Sequence, residues 1–329
     1  MNKSKLLTGA LVIVLVLLAG GSWLLFGNST GLNLANADQY TAGNTEIASS
    51  VENLDIDWTS GKVNIEYHAG SGITVSETAN RTMSEDEKLR WWMDGKTLRV
   101  RYCKSGLNMH FNLTKTLTVS LPEGTVLKKS EIGVTSGEIN IPKMDADEIV
   151  FDCTSGNVNA EINTGKLDAS STSGEMNIRQ NGDIKNAVLK STSGSIVFTA
   201  ASAENVDMKS TSGNLDLTLS GNVENLRLAS TSGMISADLA SADKAEFDAT
   251  SGIMNVKVLS FKDLDLDATS GNITLKLPGT PGFTLDLDAK PNKLNSSLAM
   301  VKDGSKYTFG DGSARLRIET TSGEIRIEK

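Results

Sequence analysis

At 329 residues, with 39% hydrophobic and 22% charged residues, the chain has enough apolar material for a sizeable core and lies outside the composition of disordered polymers. Its formal net charge of −8 argues against nucleic acid and anionic lipid headgroups as main targets. Thirty Gly against five Pro, with Thr, Ser, Asn and Asp beside alternating Ile, Val and Leu, predict many short strands joined by turns and no long helices in the body of the chain.

In chain order, the first predicted element is the apolar run "LLTGALVIVLVLLAGGSWLLF" from Leu6 to Phe26, preceded by Lys3 and Lys5. As a helix rising about 1.5 Å per residue, it is long enough to cross a hydrocarbon core of about 30 Å. No Lys or Arg follows until Lys62, so the charge asymmetry predicts a cytoplasmic amino terminus and an exterior remainder. The competing reading is a cleaved signal peptide, since Ala35-Asn36-Ala37 has the form that signal peptidase accepts. The run is longer than the usual apolar region of such a peptide, and Ala37 lies eleven residues beyond Phe26. The expectation is a single-pass membrane protein with residues 1–27 as cytoplasmic terminus and anchor and 28–44 as linker. Without Lys3 and Lys5 the exterior part holds 30 basic and 40 acidic residues, a balance of −10.

Residues 45–130 form an amino-terminal β region that contains the triplet Thr-Ser-Gly once, at Thr59–Gly61. Strand-like runs "KVNIEY", "TLRVRY" and "TLTVSL" are separated there by the polar insert "SETANRTMSEDEKLRWWMDG". From 131 to 282 the triplet recurs, with its glycine at Gly137, Gly156, Gly174, Gly194, Gly213, Gly233, Gly252 and Gly271, at steps of 19, 18, 20, 19, 20, 19 and 19. It appears once more at Gly323. A near-constant period close to 20 indicates stacked supersecondary units, since none this short buries a core by itself.

Around Gly213, positions −7, −5 and −3 are Val206, Met208 and Ser210, and positions +2, +4 and +6 are Leu215, Leu217 and Leu219. Period two on both sides of the triplet means two strands with one face inward, joined at a corner. Two features suit that corner: a glycine free to adopt positive φ, and short hydroxyl side chains that satisfy turn amides. Position −3 reads Val134, Cys153, Ser171, Ser191, Ser210, Ser230, Ala249, Ala268, a small-residue column in which Cys153 is a packed side chain rather than a reactive thiol. The fold class predicted is all-β: a parallel β-solenoid (β-helix) of about 19-residue rungs with irregular end caps, after one transmembrane helix. Residues 283–329 read as the carboxy-terminal β cap, with "KDGSKYTFGDGSARLRIE" as a hairpin with Asp-Gly turns.

The repeated corners after an amino-terminal anchor, the Leu-Pro pairs at Leu121-Pro122 and Leu277-Pro278, and the closing "RLRIETTSGEIRIEK" resemble the bacterial DUF4097 family of adhesin-like proteins. That family includes the LiaG-like membrane proteins of Gram-positive bacteria. The resemblance covers roughly residues 45 to 329. It implies an envelope-exposed β-solenoid connected with cell-envelope stress responses, and it supplies no catalytic residues.

Chemistry-bearing motifs are sparse. His68 and His110 are the two histidines, far apart in sequence, which disfavours histidine-based catalysis or zinc. No phosphate-binding glycine loop follows a strand, and the triplet serines lack a neighbouring base. Cys103 and Cys153 are too few for a disulfide framework. Trp91-Trp92 reads either as a sugar-stacking pair or, preferably, as cap core. Asp265 with Asp267, Asp286 with Asp288, and Asp248 with Asp152 fall on outward strand positions where stacking would form an acidic stripe. The calcium repeat is absent and a solvated face is the preferred reading. No catalytic, cofactor or metal residues are assigned, and no cofactor. The expected function is a surface interaction or scaffold module, exposed extracellularly on the cell membrane. Its expected partner is a cell-wall, surface or envelope component, with the membrane engaged through Leu6 to Phe26. An accessory of an envelope-stress response and a polysaccharide-acting enzyme are the alternatives.

Overall fold

Alternating apolar and polar residues on either side of each triplet become one turn of a parallel β-solenoid. The computed structural model describes residues 36–104, 112–279, 282–290, 293–304 and 306–329. Among them the regular elements are β-strands and two three-residue 3-10 turns, Ala37–Gln39 and Glu85–Glu87. The apolar run Leu6 to Phe26 and His110 lie outside the described residues.

One rung illustrates the construction. Ala203–Ser210 runs parallel between Ile184–Ser191 and the second half of Leu215–Ser230, with Met208 over Leu189 and under Leu228. After the corner, Leu215, Leu217 and Leu219 lie over Ile196, Phe198 and Ala200, and all six are buried. Between these two walls each rung makes a third, minimal side with one inward residue. Ile184, Ala203, Val223, Ala242 and Phe261 stack there in register. Long strands bend through corners and serve two walls. The pairings therefore close a ring of six strands: Leu127–Ser173, Met176–Gln180, Ile196–Ala200, Leu215–Ser230, Ala203–Ser210 and Ile184–Ser191. The core is the continuous apolar column enclosed by that ring.

Both ends depart from chain order. Asn53–His68 pairs with Leu127–Ser173 on one side and with Thr97–Arg101 and Lys115–Pro122 on the other. The later segment is thus the outermost rung. At the far end the arrangement is mirrored: Ala314–Thr320 inserts between Met254–Ala268 and Phe283–Asp288, which leaves the earlier of those two returning segments, Phe283–Asp288, outermost. On one carboxy-end wall the short Leu294–Ser296 lies outermost, parallel to Ile325–Glu328. At three other places the outermost parallel strand is covered by an antiparallel one, Arg90–Asp94 and Ile73–Ala79 at the amino end and Lys306–Phe309 at the carboxy end. This hides parallel edges that would otherwise template pairing with another chain. The core is sealed at the carboxy end by Phe261, Phe283 and Phe309, with ring centroids 6.3 and 5.5 Å apart.

The hairpin read from "KDGSKYTFGDGSARLRIE" is only half present. Val301–Asp303 and Lys306–Phe309 do pair antiparallel. Beyond Asp311-Gly312, however, Ala314–Thr320 leaves the hairpin, because Leu316 and Ile318 complete the core and Arg315 and Arg317 reach Asp263 and Asp265 on the neighbouring rung.

Candidate functional site

The corner glycines form one column. A Cβ on Gly137, Gly156, Gly174, Gly194, Gly213, Gly233, Gly252, Gly271 or Gly323 would lie 1.6–2.0 Å from the carbonyl oxygen of the corner glycine one rung earlier, and Gly137 is seated in this way on Gly61. Only Gly61, Gly137 and Gly174 have φ in the range 106–156°. At Gly213 positive φ is therefore not the reason for glycine, contrary to the expectation from sequence; the reason is backbone-to-backbone contact between rungs. The hydroxyls act as expected where they are present: Gly194, Gly213 and Gly233 donate their N–H to the Oγ of Ser191, Ser210 and Ser230 at 2.7–2.9 Å. Corner amides also ladder between rungs, as from Ser212 N to Thr192 O at 2.9 Å. A device the sequence reading missed is the residue after the glycine: Asn214 Oδ1 accepts the Met234 N–H at 3.0 Å, and Asn157 and Asn272 do the same for Glu175 and Glu324. Cys153 is buried in the −3 column, and burial pushes its thiol up to about 11.

The two walls differ outside. Before the corner, outward residues are charged and bridge rungs: Arg101 to Asp55 at 2.8 Å, Arg227 to Glu246 at 3.1 Å and Asp248 at 2.6 Å, Arg317 to Asp265 at 3.2 Å. One row there is acidic for four rungs, since Asp248 neighbours Asp267, Asp267 neighbours Glu319 and Glu319 neighbours Asp288. Burial, reinforced by Glu319 and Asp248, pushes Asp267 up to about 6. Asp152 does not join Asp248. It lies several rungs away and accepts a hydrogen bond from Ser170 Oγ at 3.0 Å. Asp265 and Asp286 belong to the adjacent row, on either side of Arg317. After the corner, the outward position three residues beyond the glycine is asparagine in several rungs, at Asn64, Asn140, Asn159, Asn177 and Asn255, and the position five residues beyond it is mostly charged, as in Glu66, Glu161, Arg179, Asp238 and Lys257.

On the minimal third side an open groove of about 590 Å³ includes Asp145, Asp147, Asp183, Glu204, Glu224 and Lys185 in its lining. Among the described residues no group of three His, Cys, Asp or Glu side chains is placed to hold a metal ion. His68 is used internally: its Nε2 donates to Gly72 O at 2.8 Å and its Nδ1 accepts the Gly70 N–H at 2.9 Å, roles set by the tautomer this geometry requires.

The amino-terminal cap carries a fully buried ion pair, Lys115 with Glu77. Lys115 occupies the corner register beneath Gly61, whose Cβ would meet Lys115 O at 1.9 Å. Its side chain turns under the core, where Nζ meets Glu77 Oε2 at 2.7 Å and Glu87 O at 2.8 Å and donates also to Tyr102 O. Nζ lies 4.9 Å from the Trp58 ring centroid and 4.1 Å from that of Tyr102. Burial pulls the ammonium below its usual pKa while Glu77 opposes that shift. Trp91 packs against the core. Trp92 points the other way, edge-to-face with Tyr40 at 5.6 Å and beneath the Arg99 guanidinium at 5.9 Å. Cys103 and Cys153 are free thiols.

Three crystal structures resemble the chain. They are a "putative cell adhesion protein" from Clostridium sporogenes (13% identity, 88% of this chain and 99% of that one, TM-score 0.19), a "putative lipid binding protein" from Parabacteroides distasonis (21%, 87% and 96%, 0.43), and a "putative adhesin" from Bacteroides fragilis (13%, 88% and 96%, 0.31). No curated protein matches the chain. Residues 51–263, more than half of the sequence, match the family model described as Toastrack DUF4097, and the chain belongs to that family.

Proposed function

We propose that the chain is a single-pass membrane protein of a bacterial envelope whose β-solenoid lies outside the cell and acts as a non-catalytic, adhesin-like interaction or scaffold module. The observation that carries this reading is the corner column. Ten glycines from Gly61 to Gly323 stack in series, a wall of roughly 43 Å at about 4.8 Å per step, with outward residues that differ from rung to rung. Each rung touches only its neighbours and presents few side chains, so recognition on such a surface is spread over several rungs. The membrane part of the proposal rests on the apolar run Leu6 to Phe26 with Lys3 and Lys5 before it.

The test is capture from chemically cross-linked envelopes with the intact chain. Asp265→Ala, Asp267→Ala and His110→Ala variants that still reach the surface should each retrieve the same component as the native chain. Loss of capture from one such substitution would mean a localised catalytic or metal site. Release of a fragment beginning at Asp38 from intact cells would contradict the anchor.

A further inference from the structure

We infer that the asparagine column on the wall after the corner, Asn64, Asn140, Asn159 and Asn177, is a docking strip for a neutral polysaccharide laid along the solenoid axis, an inference that rests on the interaction-module reading and names its ligand class.

The four residues each stand three positions after a corner glycine, in four successive rungs. Asn64 is in register with Asn140, and Asn159 with Asn177. Their chain neighbours Val63, Ile65, Ile139, Ile141, Val158, Ala160, Met176 and Ile178 are buried, so strand alternation turns all four amides outward. At about 4.8 Å per rung they make a strip of roughly 14 Å.

A second asparagine column on the same molecule shows what a structural ladder looks like. Asn205 Nδ2 donates to Asn186 Oδ1 at 2.9 Å and Asn225 Nδ2 donates to Asn205 Oδ1 at 3.1 Å, so those amides are spent on one another. In the strip, Asn64, Asn140 and Asn177 have no hydrogen-bond partner among the described residues, and Asn159 makes one contact of 3.4 Å to Glu138. The fold does not consume these donors and acceptors, and further along the same wall Thr199 and Thr218 are equally unspent.

The chemistry of the strip selects its occupant. An open amide offers one acceptor and two donors without charge, repeated along the axis, and its complement is a chain of uncharged hydroxyl groups at regular intervals. A polyanion finds no excess of positive charge beside the column: the next outward row holds Glu66, Glu161 and the exposed Arg179, Lys62 is paired to Glu138 at 2.9 Å, and the whole chain carries −8. An extended peptide finds no free strand edge there, because these rungs are paired on both sides.

The experiment is co-sedimentation of the full-length chain, kept in detergent, with insoluble cellulose, chitin and β-1,3-glucan, beside calcium alginate beads as the anionic polymer. The native chain should be retained by at least one neutral polymer and not by alginate. Asn140→Ala/Asn159→Ala/Asn177→Ala should bind roughly tenfold more weakly, the effect of about three modest hydrogen bonds. Asn186→Ala/Asn205→Ala/Asn225→Ala should bind as the native chain does. Circular dichroism on both variants confirms the fold. Equal neutral-polymer binding by the open-column variant would overturn the strip and leave the interaction module standing. Retention by none of the neutral polymers, or by alginate only, would overturn the ligand class, and capture from cross-linked envelopes reports separately on the module reading.

Discussion

The middle of the solenoid and its amino-terminal end solve one problem with opposite means. In the middle, a rung is fixed to its neighbour by backbone: glycine on glycine, amide to carbonyl, and a serine or asparagine side chain that completes the corner. At the end there is no further rung, and Lys115 stands where the next glycine would be, its ammonium held by a carboxylate, two carbonyls and two aromatic rings. The first solution is repeated and tolerates variation outside the corner. The second is made once, from Trp58, Glu77, Glu87, Tyr102 and Lys115, and loss of any partner is uncompensated. Recognition surfaces can therefore change on the walls without touching what holds the rungs together.

The largest effect expected is at the corner. Gly213→Val would place Cβ 1.8 Å from Gly194 O, a backbone atom locked between rungs, and should cost more than about 4 kcal/mol in urea unfolding or prevent folding. A cost under about 1 kcal/mol would show that the rungs separate easily and that the comparison is drawn wrongly. In the cap, Lys115→Met leaves Glu77 buried without its cation and should cost about 3–5 kcal/mol. Adding Glu77→Gln keeps an acceptor for the Leu89 N–H, now 2.7 Å from Glu77 Oε1, and should recover most of that loss. No recovery would mean that the ammonium serves the two carbonyls more than the carboxylate.

Smaller effects separate the corner's side chains from its backbone. Ser210→Ala removes the acceptor for the Gly213 N–H and should cost about 1 kcal/mol; Asn214→Ala, exposed yet bonded to Met234 N, about half that. The smallest effect is electrostatic. Asp267, pushed up to about 6, binds its proton more tightly in the folded than in the unfolded chain. Its contribution to stability therefore rises as pH falls through 6 toward the ordinary carboxylate range, and is lost as pH rises again. Asp267→Asn should raise the melting temperature slightly at pH 7.5 and leave it unchanged near pH 4; the same shift at both would remove the carboxylate row as its cause.

Much of the stack is legible in the sequence because period-two alternation and a fixed glycine interval both survive translation into backbone. Val206, Met208, Ser210, Leu215, Leu217 and Leu219 point inward as the spacing requires. What was not legible depends on which rung lies beside which. The glycine requirement at Gly213 comes from Gly194, 19 residues earlier, and not from its own dihedral. The acidic row joins Asp267 to Glu319 because Ala314–Thr320 is inserted out of chain order, and Asp152 does not reach Asp248 because Ser170, Lys190, Lys209 and Ala229 occupy the rungs between them. Lys115 reads as an ordinary strand residue until Gly61 is seen above it. The sequence shows two runs of asparagine, four in one column and three in the other, but not that neighbouring amides meet only in the second.

The central claim is that the rungs are interchangeable units held by the corner column. Because Asn205, Asn225 and Lys244 share one register, deleting Val206 to Lys244 joins Asn205 to Ala245 in phase and removes two rungs. Small-angle scattering of that deletion should show a folded particle whose longest dimension is shorter by roughly 10 Å. An expanded, unfolded profile would contradict the account.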